Sequence, residues 1–200
     1  MNNHKMTRAA GTLDILANVG GKLTAVVGAV CIVIAVLTLA FGSRMLSDAE
    51  LTLDLDFIKF HLSDSAPVDE KMLKLYMVAG TLGGSVVCFL VYYVSKLLRE
   101  ILAPMKQGRP FEQGISGQLK KVGRAILLGG FFSELIGVVA RFLLIRAFSV
   151  DELFASAAIA KTEYVFTIDL SFALIACVVF FLSYIFTYGQ ALQEESDETL

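Results

Sequence analysis

The sequence is poor in the residues from which familiar active sites and crosslinks are built. It has no tryptophan, two histidines, three cysteines and three prolines in 200 residues, and only 18% of its residues are charged, against about 25% in an average soluble domain. His4 and His61 both lie outside the apolar runs, so no metal site can be assembled from the usual imidazole and thiolate ligands. Cys31, Cys88 and Cys177 each fall inside an apolar run, without paired spacing, and read as small hydrophobes; no disulfide, metal or cofactor is expected. A Gly-rich phosphate loop and a nucleophile elbow are also missing. Gly114-Ile115-Ser116-Gly117 has neither the spacing nor the strand context of such an elbow. An enzyme is therefore not expected, and a net charge of −2 gives no reason to expect direct contact with nucleic acid.

What the sequence has in excess is apolar surface. Hydrophobic residues make up 56% of the chain and the mean hydropathy is +0.70. Four apolar runs, at about 23–41, 76–98, 126–148 and 170–188, each approach the roughly 20 residues needed to cross a bilayer as a helix. One soluble core does not need four such runs, so the fold class expected is an all-α membrane protein, a single four-helix transmembrane bundle over residues 1–200. The basic start, the first run and the small residues of Ala40-Phe41-Gly42 ahead of Ser43 also fit a secretory signal. Signal cores are usually about 7–15 residues, however, and a retained first helix is the reading adopted.

The charges are sorted by segment. Lys5, Arg8 and Lys22 precede the first run, and Lys96, Arg99, Lys106, Arg109, Lys120, Lys121 and Arg124 cluster between the second and third. The loop at 43–74 is rich in Asp and Glu, and the short connection around Asp151, Glu152 and Glu163 is acidic too. The positive-inside rule places the basic segments, and with four spans both termini, in the cytoplasm. In the outer loop, Leu51 to Phe57 alternates between apolar and polar residues, as a strand does. Its expected neighbour is Tyr164 to Leu170, giving a small extracytoplasmic sheet made from the two outer loops; an irregular loop on the headgroups is the alternative.

Three sets of candidate residues follow. In the cytoplasmic connection at 104–124, Pro104 closes the second helix and Gly108-Arg109-Pro110 turns the chain. Phe111, Ile115 and Leu119 then recur at helical spacing opposite Lys120 and Lys121, an amphipathic stretch suited to the inner headgroup layer or, with Arg109, to a cytoplasmic partner. Small residues four apart, Gly80 and Gly84 in the second span and Gly129, Ser133 and Gly137 in the third, are the expected sites of close helix packing, within the bundle or between copies in a homo-oligomer. Glu134, Arg141 and Asp169 are charges at membrane depth, which tend to face inward and pair. With a rise of about 1.5 Å per residue, Arg141 lies about 10 Å below the outer end of its run, and Asp169 lies about 7 Å deep if the fourth span begins as early as Tyr164; the two are then expected to pair, with Glu134 on the same face. The alternative has Asp169 capping the fourth helix, Arg141 reaching outward and Glu134 packed in neutral form.

Gly108, Pro110, Phe111, Leu119, Gly123, the Asp169-Leu170-Ser171 step and the ending Gly189, Leu192-Gln193-Glu194-Glu195, Asp197 and Thr199 together resemble a bacterial family of four-span membrane proteins known as a domain of unknown function. The resemblance implies a multi-pass protein of the bacterial inner membrane, often accompanied by a small Cro-type helix-turn-helix regulator. The function expected is regulation or interaction through a cytoplasmic surface, with the lipid bilayer and that regulator or another membrane protein as partners. The alternative is a bundle that binds or carries a small molecule, ion or lipid by way of Glu134, Arg141 and Asp169.

The topology has a direct check. In a chain whose native cysteines are replaced by alanine, single cysteines at Ser65 and Ser156 should react with an impermeant thiol reagent in intact cells, and one at Gln113 only after lysis. Labelling at Gln113 in intact cells would invert the orientation.

Overall fold

A computed structural model describes residues 3–46, 52–55, 58–61, 68–107, 112, 114–150 and 167–198. In chain order these form α1 (Asn3–Leu46), β1 (Thr52–Leu55), β2 (Ile58–His61), α2 (Glu70–Lys106), α3 (Ile115–Ala147) and α4 (Ser171–Glu198). All four helices are long and apolar enough to cross a membrane. Their apolar side chains are largely uncovered: Leu23, Val26, Leu174 and Phe181 are each more than 60% exposed. Lipid is the solvent that makes such exposure stable, and a helix is the structure that keeps every interior amide paired within it.

The helices outlast their apolar runs. At about 1.5 Å per residue, the 44 residues of α1 extend roughly 66 Å, twice the thickness of the hydrocarbon. The residues before Leu23, expected as a tail, are therefore helix from Asn3 onward. Their ends have identifiable causes. Asp69 opens α2 by accepting the Lys71 and Met72 amides at 2.9 and 3.1 Å, with Glu70 in the first turn and Lys106 in the last, each sign matched to the helix dipole. Pro104 lies within the last turn of α2 rather than beyond it. Gly114, at φ +100°, turns the chain immediately before α3, a conformation open to glycine and costly for other residues. Ser149, at φ +43°, follows the end of α3.

The alternating segment is a strand, but its partner differs from the expected one. β1 pairs antiparallel with β2 inside the same loop, Thr52 opposite His61 and Leu55 opposite Ile58. Closing a ladder across two residues costs far less chain entropy than joining segments more than a hundred residues apart. Tyr164 to Phe166 lie outside the described residues.

The chain forms two compact units. In Met1–Ala29, Val86–Ser133 and Asp169–Leu200, the core is Leu97 and Ile101 of α2 with Ile115 and Val122 of α3, and Leu119, Val179 and Phe186 pack against it. In Val30–Ser85 and Glu134–Ile168, the core is Leu73, Ala147 and Phe148, flanked by Tyr76 and Leu144. There the Asp69 amide donates to the Ala147 carbonyl at 2.8 Å, joining the start of α2 to the end of α3.

Close approach meets the expected small residues only in part, and on α1 it follows a different spacing. The buried positions of α1 are Ala10, Gly21, Gly28, Ala35, Thr38 and Gly42, all small, and four of them, Gly21, Gly28, Ala35 and Gly42, are spaced by seven. An added Cβ would lie 2.9 Å from Ser95 Cβ at Gly21 and 3.0 Å from Cys88 Cβ at Gly28; at Gly42 it would meet the Lys74 stem at 3.3 Å. Each seven-residue step up α1 is matched by seven down α2, the antiparallel form of a heptad seam. On α3, Gly123 lies beneath the Phe180 ring, Gly129 against Leu90 and Gly130 against Phe172, while Gly83 of α2 faces Ile136. Ser133 is half-buried. At Gly80, Gly84 and Gly137, a Cβ would meet nothing within 4 Å among the described residues, so of the glycines in the four-residue stripes Gly129 alone marks a close contact. Spacing by four selects small residues on one helix, whereas contact also needs a partner side chain over the gap.

Neighbouring glycines give a clean comparison. Gly21→Leu and Gly28→Leu should each lower the unfolding free energy in detergent by about 1–3 kcal/mol through overpacking, with Gly20→Leu and Gly80→Leu within about 0.5 kcal/mol of the parent. Equal losses at Gly20 and Gly21 would dispose of the seam.

Candidate functional site

The polar side-chain bonds that join different helices in the first unit gather where α1 begins, α2 ends, α3 begins and α4 ends. Asp14 stands seven residues before Gly21, on the face of α1 that turns toward α2. Its carboxylate accepts from Arg99 Nε at 3.1 Å and Lys106 Nζ at 2.7 Å, so one acid holds two bases a helical repeat apart. Ser183, fully buried, donates its hydroxyl to the Ser116 carbonyl at 2.8 Å, and Gln190 Nε2 donates to the Glu112 carbonyl at 2.7 Å. The Ser116 carbonyl belongs to the first turn of α3 and the Glu112 carbonyl lies three residues ahead of it, so α4 is pinned to the start of α3 by side chains that read backbone. A hydroxyl buried in an apolar interior costs free energy unless it is bonded, and here that need fixes the pairing.

The expected interaction residues divide. Ile115 is 3% exposed and Leu119 half-buried, both in the core formed with Leu97 and Val122. That apolar face is used inside the protein, not offered to headgroups or a partner. Lys120, Lys121 and Arg124 are exposed, and Arg124 Nε donates weakly to the Lys120 carbonyl at 3.4 Å. Arg109 and Phe111 lie outside the described residues.

The charges expected at membrane depth are placed as follows. Glu134 is half-buried on α3. Arg141 is exposed, and its Nη1 donates to the Thr167 carbonyl at 3.0 Å. Asp169 stands two residues before α4, its carboxylate accepting from the Ser171 amide at 2.9 Å and from the Ser171 hydroxyl. The hydroxyl first, and then the amide, hold its carboxyl below the ordinary aspartate value. This is the local turn that starts α4.

Beside the Asp14 clamp is a small cleft of about 70 Å³ between α1 and α2, lined by Asn18, Gly21, Lys22, Tyr92, Ser95, Lys96 and Arg99. Gly21 sets its floor, since its missing side chain lets Ser95 and Tyr92 come down onto α1. Sequence reading named most of these bases only as topology markers and gave Asp14 no role. The available signal was Asp14 itself, an acid in phase with Gly21 and Gly28 on a helix that otherwise faces lipid. Asp14→Asn should lower the thermal midpoint in detergent, with the deficit shrinking as salt rises, because screening weakens the same contacts in the parent. A salt-independent deficit would point to packing instead.

No curated protein and no solved structure matches the chain. A family model, described as a protein of unknown function (DUF2975), matches residues 58–200, from the second strand through α2, α3 and α4, with α1 outside the match. With four membrane-length helices and most of its length under that match, the chain belongs to the DUF2975 family of proteins of unknown function.

Proposed function

We propose that this protein is a non-enzymatic regulatory or interaction protein of the bacterial inner membrane, which presents the exposed basic start of α3 to a cytoplasmic partner. The observation that carries this reading is the set of side-chain ties in the first unit: Asp14 to Arg99 and Lys106, Ser183 to Ser116, and Gln190 to Glu112. They hold the helix ends in register while Lys120, Lys121 and Arg124 stay exposed beside them. A fixed array of like charge, in place before a partner arrives, spares the ordering cost that a loose surface meets on binding. The density of Lys and Arg in the flanking segments supports placing this face in the cytoplasm. Its charge calls for a partner with an acidic surface, and the family resemblance suggests a small helix-turn-helix regulator as one candidate.

Because Ile115 belongs to the core, replacing it with aspartate would test folding and not docking; lysines are the informative positions. After in-cell cross-linking and gentle detergent extraction, the parent protein should bring down a cytoplasmic protein. Lys120→Glu combined with Lys121→Glu should reduce that recovery about tenfold or more, with extraction yield and helix content unchanged. Recovery of the protein alone across several detergents sinks the proposal, and ligand-dependent stabilisation without a partner would favour a carrier.

A further inference from the structure

The geometry points to the cleft between α1 and α2 as a binding site for a phosphate anion, supplied by the headgroup of an anionic phospholipid. Three cations surround it: Lys22 from α1, and Lys96 and Arg99 from α2, with Asn18, Ser95 and the Tyr92 ring completing the lining. All three are exposed, and among the described residues no carboxylate pairs with Lys22 or Lys96. Arg99 is different. Asp14 engages it through Nε at 3.1 Å, which fixes the guanidinium plane, and its η nitrogens remain as donors of the kind that bind phosphate oxygens bidentately. The cleft encloses about 70 Å³, well below the roughly 300–1,000 Å³ of a drug-sized ligand site, so it suits a phosphate group and not a whole lipid.

Its place on the helices decides the source of the phosphate. Lys22 is followed at once by Leu23 and then Val26, 63% and 61% exposed, and Lys96 and Arg99 flank Leu98, which is also exposed. The basic lining therefore meets lipid-facing apolar surface on both helices within one turn. A diester phosphate held by Lys22, Lys96 and Arg99 would leave its acyl chains against those side chains, whereas free phosphate would use only the polar half of the site. Basic pockets between transmembrane helices are known to take anionic headgroups for this reason. The site stands on the α1–α2 cleft and not on the α3 surface proposed for a protein partner, so either can fail alone.

The test uses the full chain in nanodiscs and in detergent. Native mass spectrometry should show phosphatidylglycerol retained in strong preference to phosphatidylcholine, and phosphatidylglycerol should raise the thermal midpoint where millimolar inorganic phosphate does not. Lys22→Gln with Lys96→Gln should weaken that retention about thirtyfold at low salt. Lys120→Gln with Lys121→Gln, removing the same charge from α3, should leave retention within about threefold, since those residues lie off the cleft. Equal loss in the two double variants would reduce the effect to general surface charge and overturn the site. Stabilisation by inorganic phosphate that depends on Lys22 and Lys96 would overturn the lipid assignment, and retention unchanged in the Lys22 and Lys96 variant would overturn both.

Discussion

Hydrocarbon supplies neither water to pair a backbone amide nor a hydrophobic effect to press two helices together. The first lack forces helices; the second leaves van der Waals contact and a few polar bonds to hold them to one another. The structure meets that second condition by removing side chains. Gly21, Gly28 and Gly42 let α1 settle on Ser95, Cys88 and the stem of Lys74, and Gly123, Gly129 and Gly130 do the same for α3 beneath Phe180, Leu90 and Phe172. Wherever the gap is filled by a neighbour's side chain, many weak contacts form at short range, and the exposed Val and Leu side chains are left for lipid.

Seven-residue recurrence explains how one long helix can serve two environments. The phase that places Gly21 and Gly28 against α2 within the apolar run places Asp14 against Arg99 and Lys106 before it. The same face thus changes from packing to charge as α1 leaves the hydrocarbon. A carboxylate at Gly21 would have no room, and a glycine at position 14 would leave two bases without the acid that holds them. The cleft lined by Lys22, Lys96 and Arg99 opens at the boundary between those two requirements, beside Gly21.

The spans and the fold class were legible because length and hydropathy report them directly: each apolar run falls on one helix, to within a residue at its ends. The family likeness was legible in short motifs around Gly123, Asp169 and the C-terminal segment. Packing was less so. A search for small residues four apart finds Gly129, which packs against Leu90, but also selects Gly80, Gly84 and Gly137, which face open space, and passes over Gly21 and Gly28, which are seven apart. Strand alternation in Leu51 to Phe57 was visible, yet its partner was sought across the protein when a two-residue connection offered one at Ile58. The amphipathic stretch was read as a surface because periodicity shows that Ile115 and Leu119 share a face, not what covers it; here Leu97 and Ile101 of α2 do. The ties from Ser183 and Gln190 end on carbonyls, which every residue has, so no residue pattern announces them.

Arg99 is common to the clamp and the cleft, and that sharing has a thermodynamic consequence. Asp14 takes its Nε, so an anion in the cleft meets a guanidinium whose orientation is already set. Any ligand that gains from the set orientation must, by linkage, also favour the conformation in which Asp14 holds Arg99. The opposing effect is repulsion between the Asp14 carboxylate and a second anion nearby, and Lys106, at 2.7 Å from the other carboxylate oxygen, offsets part of it. One acid between two bases leaves the pair of helix ends net positive, so the clamp stabilises the junction of α1 and α2 without cancelling the charge that draws an anion to it. Had Asp14 met a single base, the helices would be joined as well, but the attraction beside them would be weaker.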